Sequence, residues 1–586
     1  MQLTPLDWLI VVATLALSFA PAVWMARRAG SSTAEFFTSG RSAPWWLIGV
    51  SMVATTFSTD TPNLVTDLVR QGGVAANWAW WAFLLTGMTT VFFYARLWRR
   101  IGVLTDLEFY ELRYSGAAAS WVRGFRAVYL GVVFNVVIMA SVNLAAAKIA
   151  NVLLGWPIGQ TLLVCGVLNV AFAATSGLWG VLVTDFIQFG VAMAGSFAAA
   201  YYALRHPAVG GLEGLFSKLD PGTLALVPDL TDWTVSLPIF IVPLTVQWWS
   251  TWYPGAEPGG GSYIAQRMLA SKSERDAMAG TLFFNVAHYA LRPWPWVIVA
   301  LASMLVFPEI ADIRAALPHV DPALVGHDMA YPAMLTFLPA GVLGVMVAGL
   351  LSAYVSTIST HLNWGTSYLV HDLYRRFLRP EASEAHFVAV GRVVTAALMV
   401  AAGLLTLVLD SARTTFELLL SIGAGTGLLY LLRWFWWRIN AWSEIFAMAS
   451  SFVLAVGLLV LRQNGVGIPS HLSLIGTVVI TTSVWLAATW LTPATDRDTL
   501  HRFYRLARPA GPGWAGVRRE LGGLAATDDL SAAVVGSLAS CASIYGALFG
   551  MGFFLMGRTG AASVALTVVV AAGLVTARSV ARLWRQ

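Results

Sequence analysis

Apolar stretches of about 20 residues, long enough to cross the hydrocarbon core of a bilayer, recur along the whole chain. Hydropathy windows predict about fifteen membrane-spanning helices. They lie at 5–27, 45–70, 77–98, 127–150, 157–175, 179–204, 234–255, 277–307, 334–370, 387–410, 414–437, 441–461, 470–492, 533–557 and 561–580. The sixth follows the fifth so closely that the two are expected to form a hairpin through Thr175, Ser176 and Gly177. Basic residues fill alternate loops. One side collects Arg27, Arg28 and Arg41, then the arginines from Arg96 to Arg126, then Arg267, Lys272 and Arg275. The same side holds Arg375, Arg376, Arg379, Arg433, Arg438, the long 493–530 segment and the basic tail. The positive-inside rule then predicts an odd span number, with the N-terminus outside and the C-terminus inside.

Composition removes the soluble alternative. Of 586 residues, 58% are apolar and only 11% charged, against about 25% charged in soluble domains. The net charge of +6 lies in loops that alternate with apolar segments, which is a topology signal and not a nucleic-acid footprint. Cys165 and Cys541 both sit in apolar runs and read as packing residues, without disulfide or metal-ligand spacing. Met1 to Asp7 carry no positive charge, so the first span reads as a retained helix and not a cleaved signal. The 493–530 segment, with Pro509, Gly511, Pro512 and Gly513, reads as a solvated basic linker before two peripheral helices, with no appended soluble domain.

Two spans carry polar islands at membrane depth. The second contains the run from Ala54 to Asn63, in which Asp60 costs about 3 kcal/mol on insertion scales unless it meets water, an ion or a partner. The seventh contains the run from Gln247 to Gly261, with two prolines, four glycines and Glu257. Broken backbone at that depth survives only where it lines a cavity or is buried in protein. Paired breaks in corresponding halves point to the binding site of an inverted-repeat transporter. The two breaks are five spans apart and share Ser-Thr-x-x-Pro, at Ser58–Pro62 and Ser250–Pro254.

A third feature lies in the ninth span, where Ala353, Ser356, Thr357 and Thr360 follow the i, i+3, i+4, i+7 spacing of one helical face, with Ser359 bordering it. One or two hydroxyls there would be helix packing. Four beside a broken helix suit a hard cation, because hydroxyls and freed carbonyls supply oxygen ligands without a large fixed charge. Asp185 adds an intramembrane carboxylate two turns into the sixth span.

Three motifs together resemble those of the sodium:solute symporter family. They are the run Ala353–Asn363 continuing to His371-Asp-Leu-Tyr374, the turn Thr184-Asp-x-x-Gln188, and Tyr263-Ile-Ala-Gln-Arg267; the Phe36–Arg41 loop adds to them. The resemblance spans roughly residues 5–460. It implies an all-α polytopic fold built on an inverted five-plus-five helix repeat (LeuT-like) with peripheral helices. The expected units are 1–44, a peripheral helix and loop; 45–204 and 233–437, the two repeats; 438–492, peripheral helices; 493–530, the linker; and 531–586, two C-terminal helices.

The same resemblance implies a main sodium site from the carbonyls of Ala54, Phe57 and Ala353 with the hydroxyls of Ser356 and Thr357. A second sodium site is implied at Asp185, Ser359 and Thr360, with Thr55 or Ser356 assisting. The solute candidates are Asp60, Thr56, Trp80, Trp252, Glu257 and His288. Here the chain departs from the sugar-transporting members: Trp80 stands where a sugar-binding acid would be, and the gate segment before Tyr263 is replaced by Trp252–Gly261. Trp80 suits packing as well as solute contact. Arg292, inside Arg-Pro-Trp-Pro-Trp, reads as a structural charge.

The expected function is sodium-coupled import of a small polar solute by alternating access across the cytoplasmic (inner) membrane, a sugar or polyol slightly ahead. The alternatives are an amino acid, a carboxylate or a quaternary amine as solute, or a sensor or channel on the same bundle. A channel calls for a continuous pore ring and a sensor for a signalling domain; neither pattern occurs. The enzyme motifs His-Glu-x-x-His, nucleophile elbow and phosphate loop do not occur either. Expected partners are the solute, one or two Na+ as coupling ions and lipid, with no other cofactor, no nucleic acid and no obligate protein partner.

Overall fold

The computed structural model describes residues 3–29, 31–250, 257–409, 423 and 425–585. Trp252 and residues 414–422 and 424 of the predicted 414–437 span lie outside the described residues. The described chain is helical, with one isolated parallel bridge joining Ala43 to Ser271. Ten of its helices are long and apolar enough to cross a membrane. They account for ten of the predicted windows. Three shorter apolar helices, Trp45–Thr55, Ile158–Ala174 and Trp233–Thr245, fall in the second, fifth and seventh windows, where breaks or a hairpin turn cut the helix short.

In chain order the longer segments are α1 (Pro5–Ala29), α2 (Trp45–Thr55) and α3 (Asp60–Gly72), then α4 (Gly116–Leu154), α5 (Ile158–Ala174), α6 (Gly177–Arg205) and α7 (Trp233–Thr245). Next come α8 (Ser262–Ala270), α9 (Glu274–Val306), α10 (Val342–Leu378), α11 (Glu384–Thr406) and α12 (Gly427–Leu432). The C-terminal part holds α13 (Ala441–Arg462), α14 (Ser470–Leu491), α15 (Arg497–Ala507), α16 (Ala515–Glu520), α17 (Leu530–Leu555) and α18 (Thr559–Trp584).

The breaks fall where the sequence predicts them. Between α2 and α3 the chain leaves helical geometry at Phe57 and Ser58. Pro62 then occupies the first turn of α3, where a missing N–H costs nothing. Between α5 and α6, Gly177 turns with φ 54°, a conformation that a residue with a Cβ rarely adopts. Before α8, Gly259 and Gly260 both have positive φ, at 82° and 78°.

The α5–α6 hairpin packs on α10 and α1, and α9 packs on α2. Asp7 of α1 accepts hydrogen bonds from the amides of Gly341 (2.7 Å) and Gly344 (2.8 Å), capping the positive end of α10. The C-terminal hairpin of α17 and α18 lies against the 78–101 span: Tyr545 donates to the Trp81 carbonyl (2.8 Å), and Trp294 of α9 donates to the Leu548 carbonyl (2.8 Å).

The 493–530 segment corrects one expectation. It is not a solvated loop: α15 and α16 bury Leu500, Phe503, Tyr504, Trp514 and Val517 against the helix bundle. Trp514 donates to the Trp434 carbonyl at 2.8 Å, and the Arg113 guanidinium stacks 4.8 Å from its ring. The arginines explain the polar appearance of the segment, while the spacing 500, 503, 504, 507 gives α15 an apolar face to bury.

Candidate ion and solute site

The end of α2 meets the hydroxyl face of α10 in the core. Thr357 donates to the Thr55 carbonyl at 2.8 Å, and the Thr55 and Thr360 hydroxyls are 3.1 Å apart. Ser356 donates to one oxygen of Asp185 (2.6 Å) and Ser51 to the other (2.5 Å). The Ser359 hydroxyl turns back to the Ser356 carbonyl, 3.2 Å away. The Ala54 carbonyl accepts the Phe57 amide at 3.0 Å, so the chain turns tightly there. Ala54, Phe57, Ala353 and all these polar residues are buried.

Two further residues, outside the candidates that the sequence offers, complete this cluster. Arg267 of α8 donates to Ser51 (3.1 Å) and Thr360 (2.7 Å), and lies 3.9 Å from Asp185. A buried carboxylate requires such a counter-charge. Ser51 sits one turn before Thr55, so the i, i+4 spacing on α2 was the available signal.

On the other side of the break, Thr56 lies 3.1 Å from His288 Nδ1 and accepts from Arg292 at 3.2 Å. Arg292 also lies 3.1 Å from His288 Nε2 and stacks over Trp296 at 5.2 Å. His288 occupies a π-helical turn, Ala287–Leu291, within α9; such turns re-aim side chains and recur at functional positions. A cavity of about 40 Å³ opens here, lined among others by Thr56, Thr86, Thr90, Glu257, Asn285 and His288. Asn285 Oδ1 is a buried acceptor with no hydrogen-bond partner among the described residues. Its close approach to the 78–101 span depends on Gly87, where a Cβ would come within 1.8 Å of that oxygen.

The remaining solute candidates separate. Trp80 is buried behind the cavity, stacked on Tyr289 at 5.9 Å and edge-on to His288 at 5.6 Å, with its indole N–H on Asn77. Asp60 starts α3, is half-buried, and accepts from the Ser58 hydroxyl. Glu257 lines the cavity, yet its carboxylate pairs with Arg126 (3.1 Å) and Arg433 (3.5 Å). Trp252 lies outside the described residues.

With this geometry in view, the model of the sodium:solute symporter family matches residues 36–451. The chain belongs to this family. It is therefore a transporter-family protein and not an enzyme, a multi-pass membrane protein in a family that couples transport to Na+. A sodium/glucose cotransporter of Vibrio parahaemolyticus is 24% identical over 77% of this chain and 85% of the relative. A human sodium/myo-inositol cotransporter 2 is 25% identical over 78% of this chain and 70% of the relative. Among solved structures, a substrate-bound, outward-open Na+-coupled sialic acid symporter superposes with a TM-score of 0.68. It shares 18% identity and covers 84% of this chain and 99% of its own. That likeness supports the helical, LeuT-like fold of the symporter.

Proposed function

We propose that this symporter imports a small polar solute together with sodium by alternating access, a sugar or polyol being favoured. Its architecture on this reading is an inverted five-plus-five repeat within fifteen spans, N-terminus outside and C-terminus inside. The observation that carries the proposal is the meeting of the broken α2 end with the hydroxyl face of α10, where Thr357 holds the Thr55 carbonyl at 2.8 Å. Sodium coordinated there by the Ala54, Phe57 and Ala353 carbonyls and the Ser356 and Thr357 hydroxyls ties two elements that must part during the cycle. Asp185, Ser359, Thr360 and Thr55 supply oxygens for a second ion. Each charge crossing 100 mV adds about 2.3 kcal/mol of driving force.

The solute reading rests on the cavity between the break and α9. Thr56, Thr86, Thr90 and Thr281 line it with hydroxyls that already donate to backbone carbonyls and are left to accept, and with the Asn285 acceptor they suit a solute that donates from neutral hydroxyl groups. The Glu257 charge is already answered by two arginines. In this reading Thr56 and His288 orient the solute, Trp80 backs the aromatic wall, and Asp60 stands on the approach.

Proteoliposomes containing the purified protein, challenged with a panel of sugars, polyols, amino acids and quaternary amines under an inward sodium gradient, test the proposal. Solute uptake that collapses when sodium is replaced by potassium is expected. Uptake indifferent to that replacement would refute coupling, and uptake of amino acids or amines alone would refute the hydroxylated solute.

A further inference from the structure

A second cavity, about 160 Å³ and four times the size of the solute cavity, lies between α1, the α5 end of the hairpin, α4 and α10. Its lining is almost wholly carbon. The polar residues on it, Thr59, Thr161 and Tyr354, all direct their hydroxyls away. Thr59 donates to the Val142 carbonyl (3.1 Å), Thr161 to the Pro157 carbonyl (3.4 Å) and Tyr354 to Asn143 (2.6 Å). A cavity of this kind stays dry and takes apolar guests, so it suits neither sodium nor a polar solute.

Its position names the guest. At one end Trp8 and Trp156 stack with centroids 6.5 Å apart, the amphipathic ring type that belongs at headgroup level. From Trp8 to Leu15 along α1, and from Val347 to Tyr354 along α10, the groove runs about 10 Å at 1.5 Å per residue. Its wall is continuous with the apolar outer face of the protein: Val12 is 59% exposed and Val164 37%, while Val11 and Cys165 behind them are buried. In a multi-pass membrane protein that outer face is the lipid interface, so hydrocarbon is what reaches the mouth. The inner end is Thr59, in the break between α2 and α3.

We propose that this groove holds one acyl chain of a phospholipid from the leaflet on the Trp8 side, headgroup at the Trp8–Trp156 pair and chain running inward to Thr59 and Tyr354. The site places a lipid in contact with the same broken helix that lines the ion cluster. The inference does not depend on which solute is carried.

The test uses the full-length protein in vesicles of phosphatidylethanolamine and phosphatidylglycerol. A trace of phosphatidylcholine carries a diazirine either near the glycerol or midway along one chain. After photolysis, peptides are mapped by mass spectrometry. The near-glycerol probe should label around Trp8 and Trp156. The mid-chain probe should label the buried lining around Cys165 and Tyr354, several-fold above the level on the lipid-exposed face of α18. Ala150→Trp, which fills the groove, should remove the buried labelling several-fold and leave α18 unchanged; Ala146→Phe serves if that variant misfolds. Labelling of the buried lining no stronger than on α18, equal patterns from both probes, or insensitivity to a folded groove-filling variant would each overturn the site.

Discussion

Removing the two hydroxyls of the proposed main sodium site separates its role as a ligand from its role in packing. In Thr357→Ala the lost bond to the Thr55 carbonyl is buried and 2.8 Å long. A net hydrogen bond of that type contributes about 0.5–1.5 kcal/mol to stability. Oxygens that face a charge contribute more, about 1.5–3 kcal/mol. If the hydroxyl coordinates Na+, the sodium concentration for half-maximal uptake should therefore rise roughly 10- to 100-fold, at 1.4 kcal/mol per decade. Ser356→Ala should behave similarly, and Asp185 remains answered by Ser51 and Arg267, so the fold should survive. Thr366→Ala provides the control. That hydroxyl is buried on the same helix and bonds Thr395 at 3.0 Å, so its loss should lower thermal stability by a similar amount without moving the sodium dependence. The assay is initial uptake against sodium concentration, paired with sodium-dependent thermal shift in detergent. A folded Ser356→Ala/Thr357→Ala double variant with wild-type sodium dependence would refute the assignment.

Four further outcomes are expected. Gly87→Ala should press on Asn285 and raise the solute KM while leaving the sodium dependence unchanged; an unaltered KM argues against the cavity as the solute site. Glu257→Ala takes the paired carboxylate from Arg126 and leaves Arg433 to Glu444, 3.6 Å away, which should lower stability by about 3–5 kcal/mol, measured by thermal unfolding in detergent; a change in solute affinity at full stability would instead make Glu257 a solute ligand. Trp514→Ala should cost about 3–5 kcal/mol of local packing and expose the 493–530 segment to hydrogen exchange, whereas unchanged protection would mean that the segment is held by its other contacts. At Glu111, burial pushes the carboxyl up, but hydrogen bonds from Arg376, Ser120 and Arg123 and the Arg123 charge hold it at about 2, below its ordinary 4.5. Its folded pKa is the lower one, so its contribution is complete above about pH 4.5 and is lost as pH falls toward 2. Glu111→Gln should flatten the acid limb of the thermal midpoint over that window, and an unchanged limb would assign it to other carboxylates.

Local chemistry made the breaks and the hydroxyl face legible. Asp60 and Pro62 cannot continue an apolar helix, and Ser356, Thr357 and Thr360 share a face by spacing alone. Ser51 was signalled only by its i, i+4 spacing from Thr55, whereas Arg267 joins the cluster because α2, α6, α8 and α10 cross at one point, and no local pattern carries that crossing. The 493–530 segment failed for another reason. Its helical period at Leu500, Phe503, Tyr504 and Ala507 was present, but six arginines outweighed it, and net charge does not report how one face is used. Glu257 is the most instructive residue. A carboxylate at membrane depth must be answered by something, and the sequence offered a solute as readily as a side chain. The answering groups, Arg126 and Arg433, lie 131 and 176 positions away. Neither looks different in sequence from the arginines that merely obey the positive-inside rule. The requirement for a partner is therefore a local property that sequence states, whereas the partner's identity is a tertiary one. Solute-site assignments from isolated membrane carboxylates in such transporters gain force only once nearby arginines have been excluded.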